Sequence, residues 1–356
     1  MKKNVLLICA GLLLALSPSA FAKKTYKWKL AMSWPATLSP LTSPANNFAK
    51  LVEQMSDGRL KVKVHASNVH KAPFGILDMV KAGNYEMGHS ASYFWKGKDI
   101  NTPFFTSMPF GMNYAEFNSW FYYGGGEQLM EKVYKKQGVY SFPGGNTGVQ
   151  MGGWFRKEIK SVADLKGLKI RIPGYAGEIY SKLGAVVTSI KPGEFYTALE
   201  RGTIDAVEWV APALDMKMGF QKVAKYYYSA WHEPASDTQF LINRKAYDKL
   251  PKDLQAIVKV AMQAVSADFN YEHFNMNIKA LNELNTNFKD VKIMQFPKSV
   301  LEAMKKANDQ IIAELEKKGG ITKEIIDSQR DYQNKARAWT KISEHYYLKS
   351  MFDLEK

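Results

Sequence analysis

Apolar and polar positions along this chain repeat with two periods, about two residues in strands and about 3.6 in helices, and the switches between them mark its elements. From Lys169 to Trp209 the sequence KIRIPGYAGEIYSKLGAVVTSIKPGEFYTALERGTIDAVEW reads strand, helix, strand, helix, strand. Lys169–Ile172 is a β-rich run closed by Pro173-Gly174, and Gly177–Leu183 has helical spacing. Ala185–Ile190 is apolar and β-branched, Phe195–Arg201 is a short helix closed by Gly202, and Ala206–Val210 is the next buried strand. Such alternation predicts a parallel sheet with helices on its faces, and ligands of open sheets of this class sit beyond the carboxyl ends of the strands. Arg171, Glu208 and Trp209 fall near those ends.

The same order occurs earlier. Tyr26–Met32 begins as a strand, Pro40–Met55 is a helix, and Leu60–Ala66 (LKVKVHA) alternates cleanly. Phe74–Ala82 is a helix and Glu86–Ala91 a small-residue strand, followed by the aromatics Tyr93-Phe94-Trp95. Two such units predict two α/β lobes. Tyr114–Tyr122 is a helix, and Gly124-Gly125-Gly126 breaks it; no strand precedes and no Lys-Ser/Thr follows, so this is no phosphate cradle. Val139–Pro143 is a strand, Val149–Phe155 is the first crossing into the second lobe, Lys225–Ser229 is a further strand, and Thr238–Asn243 crosses back. Leu254–Leu284 is helical without internal Gly or Pro and long enough to span both lobes. Val291–Gln295 is a strand, Pro297–Lys317 a helix, and Ile321–Leu348 a last long helix carrying Trp339, Tyr346 and Tyr347. The expected division is lobe I at 23–147 plus about 235–275, lobe II at 148–234 plus about 276–320, and a peripheral helix at 321–356 as a candidate dimerisation element.

Lys2 and Lys3, an apolar run from Val5 to Leu16, and Ala20-Phe21-Ala22 make a secretory leader cleaved after Ala22. The single cysteine, Cys9, lies inside it, so the mature chain is expected to hold no disulfide and no cysteine metal site. The net charge of +15 is scattered rather than clustered, which favours a basic exported protein over a nucleic-acid binder. The six histidines, His65, His70, His89, His232, His273 and His345, stand in no G-x-S-x-G or H-E-x-x-H frame.

Leu165-Lys166-Gly167-Leu168-Lys169-Ile170-Arg171, Leu183-Gly184-Ala185, Tyr196–Gly202, Ile204-Asp205-Ala206 and Glu208-Trp209 together resemble the periplasmic solute-binding proteins of TRAP (tripartite ATP-independent periplasmic) transporters, the DctP-like family. Asn146–Trp154 and Glu208-Trp209 are most similar to the branch that binds 2-oxo and 2-hydroxy monocarboxylates with a metal ion. The resemblance implies an α/β, two-lobe periplasmic binding protein fold with hinge strands. It implies that Arg171 pairs with the ligand carboxylate, and that Gln150 and Glu208 hold Na+ or Ca2+ through side-chain oxygens and Trp209 through its carbonyl. Asn146, Tyr93, Phe94 and Gln239 line the site, Gln239 also standing among the cation ligands. The implied partners are a small organic carboxylate, pyruvate- or lactate-like, the membrane permease subunits, and a second copy.

Elementary chemistry agrees. A small acid has little apolar area, so affinity must come from polar groups in a closed cleft. A guanidinium meets both carboxylate oxygens, and Glu208 beside an anion requires a cation between them. On the residues alone, Arg171 reads as readily as a surface ion pair, and Glu208 as a partner of Lys169 or Arg171. A dicarboxylate, sugar acid or aromatic acid remains the alternative ligand, and a periplasmic carboxylate-processing enzyme the remote alternative.

Overall fold

The computed structural model describes residues 24–355; the leader expected at 1–22 lies outside them. Two sheets form. The first has strand order β2-β1-β3-β10-β4, from Tyr26–Met32 (β1), Leu60–His65 (β2), Met87–Ser90 (β3), Val139–Asn146 (β4) and Asp237–Asn243 (β10). The second has order β11-β9-β5-β8-β6-β7, from Gly153–Phe155 (β5), Lys169–Arg171 (β6), Val186–Thr188 (β7), Ala206–Val207 (β8), Tyr226–Tyr228 (β9) and Lys292–Met294 (β11). β1 pairs in parallel with β2 and β3, and β6 with β7 and β8. Each sheet carries one reversed strand that arrives from the other lobe: β10 is antiparallel to β3 and β4, and β5 to β8 and β9.

The two connectors between the sheets run side by side. Thr147 N donates to Ser236 O at 2.9 Å, Gln150 N to Glu233 O at 2.9 Å, and Gly152 N to Tyr228 O at 2.7 Å. Here the expected strand Val149–Phe155 shortens to Gly153–Phe155, because the amides before Gly153 bond across the connectors and, through Met151 N to Val210 O at 2.8 Å, to the turn after β8. Gly153 has φ of 113°, and a Cβ there would sit 2.8 Å from Val207 O, so the close approach of β5 to β8 requires glycine.

The third link is the helix Lys252–Asn287. It packs on β4 and on the helix Ser43–Met55 in the first lobe, and reaches the second through Asn277 Oδ1, which accepts from Ala213 N at 2.9 Å. His273 Nδ1 bonds Thr147 O at 2.9 Å, pinning this helix to the first connector.

Two helical regions also depart from the sequence expectation. The helix Gly126–Lys135 follows directly on Gly125, so the glycine triplet separates two helices. The last long helix divides at Ser343 into Gly320–Ile342 and Glu344–Leu354. Gly320–Ile342 is not peripheral: it buries Ile325 and Ile326, and Gln329 Nε2 donates to Phe104 O at 2.8 Å in the first lobe. Glu344–Leu354 buries no residue and leaves Tyr346, Tyr347 and Phe352 exposed.

The lobes are closed on one another. Trp34 of the first meets Trp209 of the second with ring centroids 6.4 Å apart. Tyr175 Oη donates to Ile100 O at 2.7 Å, and Lys96 pairs with Glu178 across the cleft mouth.

Candidate functional site

β6 ends at Arg171 because Pro173, two residues on, has no amide to continue the ladder. β8 stops at Val207 for a different reason. The carbonyl of Glu208 accepts from Arg171 Nη1 at 2.6 Å, and Val210 N turns to Asp215 Oδ1 at 3.0 Å. The expected strand Ala206–Val210 is therefore cut short, and Glu208 and Trp209 project from a loop. The Arg171 guanidinium lies 4.6 Å from the Phe195 ring centroid and 5.4 Å from that of Trp209, packed on two rings that themselves meet edge to face at 5.3 Å. It lines a cleft of about 410 Å3 with Tyr93 and Phe94. The structure thus brings Arg171, Glu208, Trp209, Tyr93 and Phe94 into one neighbourhood, as the positions of the strand ends lead one to expect.

Glu208 is buried, yet its carboxylate is poorly matched. Oε2 is 3.5 Å from Arg171 Nη1, whose short bond goes to the backbone carbonyl instead. Oε1 has no hydrogen-bond partner and lies 3.4 Å from His232 Nε2. That contact is no ion pair: burial holds His232 down to about 4, so its ring is neutral near pH 7. Burial, offset only in part by Arg171, pushes Glu208 up to about 8.

The connectors add two oxygens. Gln150 Nε2 donates to Thr147 Oγ1 at 3.0 Å, which leaves its buried Oε1 without a donor. Glu233 is buried, its Oε2 is also unpartnered, and burial together with the Glu208 charge pushes it up to about 7. Buried oxygens left without donors are rare and costly. Three of them, supplied by Glu208, Gln150 and Glu233, fit a hard cation, which takes oxygen ligands and restores charge balance against the two acids. Among the described residues no group of three or more His, Cys, Asp or Glu is placed to hold a metal, so a cation here must draw on amide and carbonyl oxygens too.

Sequence reasoning misses Glu233, which stands in the run Trp231-His232-Glu233-Pro234. Its one signal is an acid between an aromatic and a proline on the segment leading back to the first lobe. Two other expected residues are engaged elsewhere. Asn146 Nδ2 donates to Asp237 Oδ2 at 3.2 Å and its Oδ1 accepts from Gly148 N at 2.9 Å, holding β4 to β10 at the start of the connector. Gln239 Oε1 accepts from Tyr134 Oη at 2.8 Å, on the helix Gly126–Lys135, rather than meeting Arg171 or Glu208. Trp209 Nε1 is buried and unpartnered. A second cavity, about 420 Å3, lies between Phe104–Met112 and the helices Lys298–Glu316 and Gly320–Ile342. Its arginines, Arg330 and Arg337, already face Glu316 and Glu116, and Asn308 Oδ1 is buried there without a donor.

Comparison with known proteins bears on this arrangement. Residues 30–318 match the family described as bacterial extracellular solute-binding protein, family 7 (DctP). A monocarboxylate 2-oxoacid-binding periplasmic protein of Nostoc sp. is 38% identical over 322 residues, covering 90% of this chain and 88% of the relative. A TRAP periplasmic solute-binding protein from Colwellia psychrerythraea, solved with bound calcium and pyruvate, superposes with a TM-score of 0.91 at 53% identity, covering 92% of this chain and 100% of that one. Its counterpart from Pseudoalteromonas atlantica, solved with sodium and pyruvate, gives 0.90 at 53% identity, covering 92% and 99%.

Proposed function

Because the chain belongs to the DctP family of bacterial extracellular solute-binding proteins, we propose that it captures a small 2-oxo or 2-hydroxy monocarboxylate of the pyruvate or lactate kind, together with Na+ or Ca2+, and delivers it to the membrane permease of a TRAP transporter. The observation that carries this reading is the buried Arg171 guanidinium set beside the donorless oxygens of Glu208, Gln150 and Glu233. Arg171 meets the ligand carboxylate with the edge not used on Glu208 O. Glu208, Gln150 and Glu233, with the Trp209 carbonyl, hold the cation; Glu233 fills the place expected of Gln239. The cation neutralises the acids and lets the anion approach. Related proteins solved with calcium in one case and sodium in another support a site that accepts either ion.

The leader expected at 1–22 exports the chain to the periplasm, where ligand favours the closed lobes and the permease reads that state. Nothing in this role requires turnover, and we read the protein as a binder rather than an enzyme. The test is calorimetry on protein stripped with a chelator. Pyruvate is expected to bind only after calcium or sodium is restored. Heat from a dicarboxylate or sugar acid but none from pyruvate, with cation present, would overturn the ligand assignment.

We further propose that the exposed face of Glu344–Leu354, with Trp339 and Ile342, joins two copies. Ending the chain after Ser343 is expected to give a folded monomer by sedimentation. Ending it after Gly320 strips Ile325, Ile326 and Gln329 from the first lobe and is expected to lower the melting temperature sharply. An unchanged dimer in the shorter cut would remove this helix from the interface.

A further inference from the structure

The cavity of about 420 Å3 beside Phe104–Met112 is built from both lobes. Phe104, Met108 and Phe110 come from the first. Asn308 and Ile312 stand on Lys298–Glu316, which packs on the helix Gly174–Lys182 of the second and is tied to it where Lys182 Nζ donates to Glu314 Oε1 at 2.9 Å. Ile326 and Gln329 of Gly320–Ile342 close a third side, and Ala235 reaches the cavity from the second connector, two residues beyond Glu233.

Its charged side chains answer one another. Lys305 pairs with Asp309 at 2.6 Å, Arg330 with Glu316 at 2.5 Å and Arg337 with Glu116 at 3.6 Å. Two of its amides are spent as donors: Gln329 Nε2 donates to Phe104 O at 2.8 Å and Gln333 Nε2 to Phe110 O at 3.0 Å. Asn308 differs. It is only 6% exposed, yet its Oδ1 accepts from nothing among the described residues. Such an orphaned acceptor is rare in a folded protein.

We propose that this cavity is a second ligand site, for a small neutral carboxamide on an apolar body, and that its occupation favours the closed lobes. The ligand N–H donates to Asn308 Oδ1 and the ligand carbonyl accepts from Nδ2, a planar pairing of amide with amide. The apolar body lies against Phe104, Met108 and Ile312. With its charges paired among themselves, the cavity gives an ionised ligand no counter-charge, which keeps the small acid of the main cleft out. Because the walls belong to both lobes, an occupant loses contacts when they part, so it binds the closed arrangement better. This coupling rests on the proposed function; the binding does not.

The experiment is calorimetric titration of the protein with benzamide and with N,N-dimethylbenzamide, which has the same ring and carbonyl but no N–H. Benzamide is expected to bind about tenfold tighter, the worth of one hydrogen bond to a buried unpaired acceptor. Asn308→Leu keeps much the same side-chain size and is expected to bring the two within about twofold of each other, with calcium and pyruvate binding as in the native protein. Saturating calcium and pyruvate are expected to tighten benzamide at least about fivefold, and benzamide to tighten pyruvate by the same factor. Failure of benzamide to bind, or its displacement by pyruvate, would eliminate the site. Equal affinities for the two amides, or a preference that survives in Asn308→Leu, would remove the recognition by Asn308. A benzamide affinity indifferent to pyruvate, in a protein that binds both, would break the coupling alone. Benzamide binding without any pyruvate binding would sink the proposed function and leave this site standing.

Discussion

Arg171→Lys is expected to raise the dissociation constant for pyruvate by about 100-fold, measured by calorimetry at saturating calcium. Hydrogen bonds to charged groups contribute about 1.5–3 kcal/mol each, and an ammonium reproduces only part of a planar fork. The surroundings make the substitution worse than a loss of reach. Arg171 Nη1 holds the carbonyl of Glu208 at 2.6 Å, and the guanidinium plane is packed against Phe195 and Trp209. A lysine cannot serve the carbonyl and the ligand carboxylate at once, so Glu208 is freed along with the anion. Affinity within about threefold of the native value would mean that the carboxylate is held elsewhere.

Glu208→Gln, which keeps shape and removes the charge, is expected to weaken calcium binding at least about 100-fold and carry pyruvate binding down with it. It also has a signature in the empty protein. Glu208 is raised to about 8, while Glu233, Asp215 and Asp237 are raised to about 7, all by burial. An acid whose folded pKa is raised stabilises fully below its unfolded value, and that contribution is lost as pH rises through the folded one. The buried His89, His232 and His273, lowered to about 4 from 6.5, act oppositely but only below about 6.5. From pH 6.5 upward the acids act alone. The melting temperature of the metal-free protein is therefore expected to fall between pH 6.5 and 8 and then level off. Between pH 7 and 8 Glu208 carries about half of the slope and the three acids near 7 carry the rest, so the Gln variant is expected to halve the slope there. Calcium is expected to flatten it in the native protein by taking the proton's place. A native slope that survives undiminished in Glu208→Gln would show that other groups set it.

How much of this is legible in the sequence follows from where the signals are local. Pro173-Gly174 bounds β6, so the strand end bearing Arg171 can be placed from the residues alone, whereas β8 stops at Val207, short of the expected Val210, and leaves Glu208 in a loop. β10 is different. Six of its seven residues, Asp237–Ile242, are buried, so no alternation says which way Gln239 points. The sequence expectation therefore names Gln239, whereas the proposed cation site takes Glu233, six residues earlier on the connector. The first connector itself reads as strand because Val149–Phe155 alternates in part, whereas its amides bond to the neighbouring connector and to Val210. Such long-range pairings leave no local trace. Neither does the break at Ser343, which has no Gly or Pro to announce it. Gly126–Lys135 is hidden by the opposite effect, a glycine triplet that reads as a stop and serves equally as a start.

The cleft mouth is fastened by few and modest contacts. Lys96 and Glu178 keep 28% and 43% of their side chains in water, and a pair of that exposure is worth about 0–1 kcal/mol. Tyr175 adds one neutral bond to Ile100. With so weak a clasp at the rim, bound acid and ion are expected to add adhesion from within, so that a loaded receptor opens less readily than an unloaded one.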